Sequence, residues 1–267
     1  MAISKKNNPI ISIITIVLNE KKWLERTLDS VTSQTYNNIE FIIIDGGSTD
    51  GTLDVIKQYQ DSIDYWVSEK DGGLYDALNK GLEVATGDFV NFMNAGDTIK
   101  DSKSLENIAH QLTNFKKSYY SRAIVLSDIG SWIYPPYNMS DSEKWLKFNL
   151  PNFQTMFFSK YIYESNRFDL RLELIADDDY KMVVIREGGL NFIDEEYVEF
   201  RRDGISSNHK SLSLFIQRVK ESIVINLKYK RYIRLFLDPG KRLTTFLVHR
   251  FLGEKVFLKF IKIVKRV

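Results

Sequence analysis

The sequence predicts an α/β fold built on a largely parallel sheet, in a chain of 267 residues. Two observations carry this prediction. Short apolar runs rich in β-branched and aromatic residues alternate with segments of helical period, the pattern of βαβ units. The connections between them are short and rich in Gly, Asp, Ser and Thr, as βα loops are. Ile11 to Val17 reads as the first strand, Phe41 to Ile44 as the second, Tyr65 to Val67 as the third and Phe89 to Met93 as the fourth. Helices are expected between them at Trp23 to Ser33, Thr52 to Tyr59 and Tyr75 to Ala85. The third is the clearest: Leu74, Ala77, Leu78, Gly81, Leu82 and Ala85 recur at three and four residues, while Asp76, Asn79, Lys80 and Glu83 occupy other faces.

Beyond Ala95 the pattern is mixed and reads as the second half of the same α/β unit. A helix is expected near Leu105 to Phe115, strands at Ala123 to Leu126 and Trp132 to Tyr134, a turn at Pro135-Pro136 and a helix at Ser142 to Phe148. A further helix, Asp178 to Glu187, is closed by Gly188-Gly189 and followed by strand-like Leu190 to Phe200. The tail reads as helices Leu212 to Leu227, Tyr229 to Leu237 and Lys241 to Val264, with a break at Asp238-Pro239-Gly240. The chain therefore divides into 1–98, 99–204 and 205–267.

Composition narrows the function. With 43% apolar and 27% charged residues, 14 Gly and 5 Pro, the chain is an ordinary folded protein and neither disordered nor collagen-like. Cysteine is absent, which excludes disulfides, thiolate nucleophiles and Cys-based metal sites and suits a reducing compartment. The apolar stretch Ile10 to Leu18 is too short to span a bilayer, and a cytoplasmic location is the expectation. The net charge of +2 conceals an asymmetry: residues 205–267 carry 15 Lys/Arg against 3 Asp/Glu (+12), and residues 1–204 carry 22 against 32 (−10). A tail of that charge suits an anionic surface or an acidic partner.

In open α/β sheets, ligands bind beyond the carboxyl ends of the strands. Acidic residues fall there three times: Asp45 in Asp45-Gly46-Gly47-Ser48-Thr49-Asp50-Gly51, Asp71 in Ser68-Glu69-Lys70-Asp71-Gly72-Gly73, and Asp97 in Asn94-Ala95-Gly96-Asp97. Helix capping is the alternative duty of Asp50 and Asp71. Three such loops on one edge offer carboxylates to the N–H and O–H donors of a nucleotide and oxygens to a hard cation with phosphates. The three histidines, His110, His209 and His249, are too scattered to build a metal site or a Ser-His-Asp triad.

These loops resemble those of the inverting family 2 glycosyltransferases of GT-A fold, particularly bacterial enzymes of capsule and exopolysaccharide synthesis. Ile11-Ser12-Ile13-Ile14 leading to Asn19-Glu20, the Asp45 loop through Thr52, and Ser68 through Gly81 are the matching segments. The resemblance runs from about Ile10 to Ser207. It implies a mixed, Rossmann-like sheet flanked by helices, with the basic helical extension added at the C-terminus. It also implies that Thr15, Asn19, Glu20, Asp45, Gly47, Asp71, Lys80, Asn94, Ala95 and Gly96 surround the nucleotide, with Asp71 at the base, and that Asp97 holds Mn2+ or Mg2+ against the diphosphate. Ile175 to Tyr180 resembles the family's acidic motif, in which Asp178 would be the general base, with Asp177 and Gln154 on the acceptor side. Mutual repulsion among Asp177, Asp178 and Asp179 would raise at least one of their pKa values. Two positions depart from the family: Asn94 stands where an aspartate is usual, and Phe153 precedes Gln154 where a histidine is usual. Arg201-Arg202 and His209 would lie near a loop closing over the diphosphate.

The implied activity is transfer of a sugar from a nucleoside diphosphate sugar, a UDP-sugar first, to a hydroxyl of a glycan or lipid-linked glycan. A nucleotide-sugar sensor or scaffold without turnover is the alternative, supported by Asn94 and Phe153. Nucleic acid is not expected as a partner, because the acidic front domain repels it. For the tail, the apolar residues between Leu237 and Val264 interleave with Lys and Arg, which suits peripheral attachment to an anionic cytoplasmic leaflet. Packing on the catalytic domain, or a homodimer contact, is the competing arrangement.

Overall fold

A computed structural model describes residues 8–128, 130–201 and 211–264. Its strands form one mixed nine-stranded sheet. β1 (Ile11–Val17) lies between β2 (Ile39–Asp45) and β4 (Phe89–Phe92), with β3 (Tyr65–Ser68) outside β2, all parallel. β8 (Met156–Ser159) then joins β4 antiparallel and carries the sheet to β6 (Ser118–Ser127), β9 (Leu190–Arg201) and β5 (Thr98–Ile99). β7 (Gly130–Tyr134) pairs with β6 as a hairpin.

The elements of the first half fall where their periodicity places them. α1 (Lys21–Thr32), α2 (Thr52–Gln58) and α3 (Leu74–Val84) connect the parallel strands. β1 is buried at every position, as a central strand covered on both faces must be. Gly81 lets α3 settle on that strand: a Cβ there would lie 2.5 Å from Ile14 Cγ2.

Three differences from the sequence reading have local causes. α4 (Ser104–Ala109) stops earlier than expected, because the amide of Asn114 is taken by the Tyr119 hydroxyl at 2.8 Å and Thr113 turns back on Gln111. β5, at two residues, is too short to leave a periodic signal, and β8 runs directly into α6 (Lys160–Tyr163) with no loop between these two four-residue elements to mark either. At the C-terminus, the expected break at Asp238-Pro239-Gly240 is absent. α9 (Arg234–Val264) runs through Pro239 and is interrupted instead at Gly253, where φ is 77° and ψ is 170°. Pro239 stands in the second turn, where its ring removes one hydrogen bond, and the turn before it is braced by Arg234 to Asp238 at 2.8 Å.

The C-terminal helices are built onto the α/β unit. α8 (Leu212–Lys228) buries Arg218, Glu221, Ser222, Ile225 and Asn226. The Glu221 carboxylate accepts the backbone amides of Glu173, Leu174 and Ile175 at 3.0 to 3.1 Å, immediately before α7 (Ala176–Glu187). Lys228 pairs with Asp179 of α7 at 2.8 Å, and Phe215 of α8 stacks on Phe246 of α9. The competing arrangement of the tail, packing on the catalytic domain, is therefore present on its inner face. Its outer face remains apolar: Leu243, Leu247, Phe251, Leu252 and Val256 are exposed. No helix among the described residues is long and apolar enough to cross a membrane.

Glu221→Ala removes the acceptor of three backbone amides, of which that of Ile175 is buried, and chemical denaturation should show a loss of about 2 kcal/mol. Unchanged stability would mean that the segment before α7 does not depend on α8.

Candidate functional site

The carboxyl ends of β1 to β4 share one edge, and a buried carboxylate organises it. Asp45, at the end of β2, is wholly inaccessible and accepts the amides of Gly47 at 3.2 Å and Ser48 at 3.0 Å, the Ser68 hydroxyl at 2.6 Å and the Ser48 hydroxyl. The Ser48 oxygen in turn accepts the amide of Asn19 at 2.7 Å, and the Asn19 side chain accepts the amide of Thr49 at 2.8 Å. Asn19 adopts φ 54°, a conformation asparagine tolerates better than most residues. Asp50 reaches the Lys21 amide and Thr52 reaches that of Glu20, so the loops after β1 and β2 are stitched together. Asp50 thus performs the capping duty open to it in the sequence.

Asp71 follows β3 and lies over the same place. A Cβ on Gly46 would sit 2.6 Å from its Oδ2, so only glycine lets the Asp71 carboxylate approach the Asp45 loop. Its Oδ1 accepts the Gly73 amide at 2.9 Å at the start of α3. Lys80 turns back to Glu69 at 2.6 Å, a hydrogen bond that raises its pKa and secures the loop. Thr15 is fully buried in β1 and its hydroxyl has no partner. Asn19, Glu20, Gly47, Asp71 and Lys80 are thus at the surface of this edge, while Thr15 and Asp45 are beneath it.

After β4 the chain makes the Asn94-Ala95-Gly96-Asp97 turn, pinned from below by Thr27 of α1. The Thr27 hydroxyl donates to the Asp97 carbonyl at 2.8 Å and accepts the Gly96 amide at 2.9 Å. Gly96 adopts φ 100° and a Cβ there would lie 3.5 Å from Trp23. The Asp97 side chain is buried and accepts the Arg201 amide at 3.3 Å, while the Arg201 guanidinium covers the Trp23 ring at 4.2 Å. Arg202 and His209 lie outside the described residues. The Asn94 side-chain oxygen is buried without a partner. Among the described residues no group of three His, Cys, Asp or Glu could hold a metal by itself. Asp97 and the unpartnered Asn94 oxygen could hold a hard cation only if a ligand's phosphate oxygens completed its shell.

The acidic motif opens α7, and its three carboxylates are divided among different partners. Asp177 accepts the Tyr75 hydroxyl at 3.1 Å and pairs with Lys181 at 2.8 Å. Asp178 is 3.3 Å from Lys181 and 3.7 Å from Arg242. Asp179 is buried against Lys228. Each of the three therefore has a cation within 4 Å. Burial acts to raise the Asp177 carboxyl, but the Lys181 charge and the hydrogen bonds from Lys181 and Tyr75 outweigh it, so that carboxyl sits below its ordinary range. Burial acts likewise to lower Lys181, and the charges of Asp177 and Asp178 outweigh it, so the amine sits above its ordinary range. Asp178, and neither Asp177 nor Asp179, lines a cavity of about 230 Å3 bounded by α5 (Ser142–Phe148), α7, α8 and α9. Gln154 is buried beside β8, where its carbonyl accepts the Asn91 amide group at 2.9 Å. Phe153 stacks on Phe92 at 4.9 Å beneath Lys181.

A family model described as "Glycosyl transferase family 2" matches residues 12–186, which contain every residue of this edge except Arg201 and every residue of the acidic motif. The chain belongs to glycosyl transferase family 2. An uncharacterised glycosyltransferase of Mycobacterium tuberculosis is 43% identical over 90 residues, covering 33% of this chain and 34% of that protein. The chain is thus matched over about a third of the length of that relative. A PGL/p-HBAD biosynthesis glycosyltransferase of Mycobacterium bovis is 29% identical over 181 residues, 65% of this chain and 69% of the relative. Staphylococcus aureus TarS 1-349 in complex with UDP-GlcNAc superposes with TM-score 0.65 at 18% identity, covering 80% of this chain and 65% of that one. The mannosyltransferase PcManGT of Pyrobaculum calidifontis, in complex with GDP-Man and Mn2+, superposes with TM-score 0.62 at 18% identity, covering 84% and 64%. The fold is the mixed α/β GT-A fold.

Phe153, where the sequence reading expected a histidine, extends an aromatic cluster with Phe92, Phe158 and Phe168. The sequence reading missed Ser48, Ser68, Thr27, Tyr75 and Lys181, each of which hydrogen-bonds a candidate site residue or its loop. Ser48, three residues after Asp45, and Lys181, four after Asp177, had a local signal; the others did not.

Asp177→Asn leaves the buried Lys181 short of a counter-charge and should lower stability by about 3 kcal/mol at neutral pH. The depressed Asp177 carboxyl contributes fully above its unfolded pKa, near 3.9, and its contribution fades as pH falls through the lower folded value. Denaturation of wild type and variant should therefore converge in acid; a gap independent of pH would show that the ion pair is not its source.

Proposed function

We propose that the protein transfers a sugar, with inversion at the anomeric carbon, from a nucleoside diphosphate sugar to a hydroxyl of a glycan or lipid-linked glycan. The observation that carries this reading is the Tyr75 to Asp177 hydrogen bond. Tyr75 stands four residues after Asp71, and Asp177 immediately precedes Asp178, so the nucleotide loop and the candidate base belong to one packed unit. Residues 1–98 supply the donor half and residues 99–204 the acceptor half, with α8 of the 205–267 segment completing the latter by fixing α7. A UDP-sugar is the first candidate donor: the fold is shared with a TarS complex holding UDP-GlcNAc, although the PcManGT complex holds GDP-Man.

Asp71, Asn19, Glu20, Gly47 and Lys80 would meet the nucleotide, with Asp45 and Thr15 holding the loops from beneath. Ala95, Gly96 and the Arg201 region would face the diphosphate. Mg2+ or Mn2+ would be held by Asp97 and Asn94, and when bound it neutralises charge on the diphosphate. Asp178 takes the proton of the acceptor hydroxyl. The hydroxyl oxygen forms the new bond to the anomeric carbon, the bond from that carbon to the diphosphate oxygen breaks, and the electron pair leaves with the nucleoside diphosphate. Asp177 and Gln154 support the acceptor side without contacting the reacting atoms. The exposed apolar face of α8 and α9, interleaved with Lys and Arg, would attach the protein peripherally to an anionic cytoplasmic leaflet, where lipid-linked acceptors reside.

Calorimetry with UDP and GDP should show binding weakened by EDTA and by Asp97→Ala, and equal affinity throughout would remove the metal role from Asp97. Asp178→Asn should leave donor binding intact and reduce transfer by roughly 10²-fold or more. Full turnover in that variant would dismiss Asp178 as the base.

A further inference from the structure

The cavity beside Asp178 carries a charge pattern that sugar hydroxyls do not require. Arg231, Arg234, Lys241 and Arg242 line it against two carboxylates, Asp178 and Asp238. Arg234 is committed to Asp238, yet its Nε is buried without a partner. Among the described residues Arg231 hydrogen-bonds only to neutral acceptors, the Met182 sulfur at 3.0 Å and the Lys147 carbonyl at 3.5 Å, with Asp238 and Asp178 acting on it as nearby charges. Burial, followed by the neighbouring Arg234 charge, lowers its pKa. Arg218, buried on α8, is lowered by burial and then by Arg242. Cations gathered this closely in a partly desolvated space repel one another, and a ligand with several anionic oxygens relieves that cost.

The excess of four cations over two carboxylates matches a phosphate ester, which carries about −1.5 to −2 at neutral pH and offers three oxygens. A carboxylate offers one charge and two oxygens. The group is distinct from the donor diphosphate, because neither the Asp71 loop nor the Asn94 to Asp97 turn contributes to this cavity. The mouth is apolar: Phe148 lines it and is 51% exposed, and Ile233 and Leu237 are exposed on the flanking turns.

We propose that the acceptor carries a phosphate or diphosphate group, seated on Arg231, Arg234 and Lys241, while its hydroxyl meets Asp178. This inference rests on the glycosyl-transfer reading for the word acceptor, but the phosphate seat itself is measurable without any donor. Two sources share the chemistry, a soluble phosphate ester and a phosphorylated lipid with its chain at the apolar mouth.

The test is calorimetry of the full chain with hexyl phosphate, hexanol and inorganic phosphate, in the absence of nucleotide. Hexyl phosphate should bind, hexanol should not, and Arg231→Gln with Lys241→Gln should weaken hexyl phosphate roughly tenfold or more. Lys241→Gln alone, at an exposed position, guards against misfolding and should weaken it in the same direction. UDP affinity should be unchanged in these variants. Vesicles containing phosphatidic acid, compared with neutral vesicles, separate the sources: binding that the double variant loses assigns the phosphate to a lipid, and binding of hexyl phosphate alone assigns it to a soluble ester. Hexyl phosphate bound no better than hexanol, or bound equally by wild type and variants, overturns the seat whether or not UDP binds. Hexyl phosphate bound as expected by a wild-type protein that ignores every nucleotide keeps the seat and counts against the transferase reading alone.

Discussion

The architecture of the edge formed by the carboxyl ends of β1 to β4 depends on one buried charge. Removing a carboxylate from water costs several kcal/mol unless its oxygens are fully hydrogen-bonded. At Asp45 that requirement is met by two backbone amides and two serine hydroxyls drawn from the loop after β2 and the end of β3. Ser48 passes the constraint to Asn19 and so to the end of β1. Three strand ends are thereby held in one arrangement, and Asp71 can lie against that arrangement because Gly46 has no side chain. The exposed residues of the edge are positioned by a residue that is not itself exposed.

The region around the acidic motif repeats the device with other residues. Glu221 of α8 satisfies three amides ahead of α7 and so fixes the direction in which the acidic motif emerges. Lys181 and Lys228 then draw Asp177 and Asp179 inward, which leaves Asp178 as the member of the motif that lines the cavity. A segment that looks in the sequence like an appended basic tail is in part structural, since its cations answer acids of the front unit. The opposite net charges of residues 1–204 and 205–267 are consistent with this pairing.

The parallel half of the sheet was legible because its apolar strands alternate with helices of clear period and its loops are punctuated by glycine and aspartate. Asp45, Asp71 and Asp97 stood out for the same reason, each at or shortly beyond a strand end. What could not be read were the two-residue strand Thr98–Ile99, the strand Met156–Ser159 that runs straight into a helix, and partnerships across long separations. Nothing near Glu221 announces the amides 46 to 48 residues upstream, and nothing near Tyr75 announces Asp177, 102 residues away. The repulsion expected among three consecutive aspartates does not raise the Asp177 carboxyl, because its counter-ion, Lys181, comes from the next turn of the same helix. Pro239 misled because proline is a sound helix breaker in an interior and a tolerable one near a beginning.

The central claim is that this family 2 chain is a working transferase with its donor on the Asp45 and Asp71 edge. The most direct measurement is incubation of the full chain with a panel of UDP-, GDP- and dTDP-sugars plus manganese or magnesium, following nucleotide release without acceptor. The account predicts slow hydrolysis of at least one donor, abolished when Asp71 is replaced by alanine in a protein that remains folded. Release from none of the panel, or release indifferent to Asp71, would contradict it.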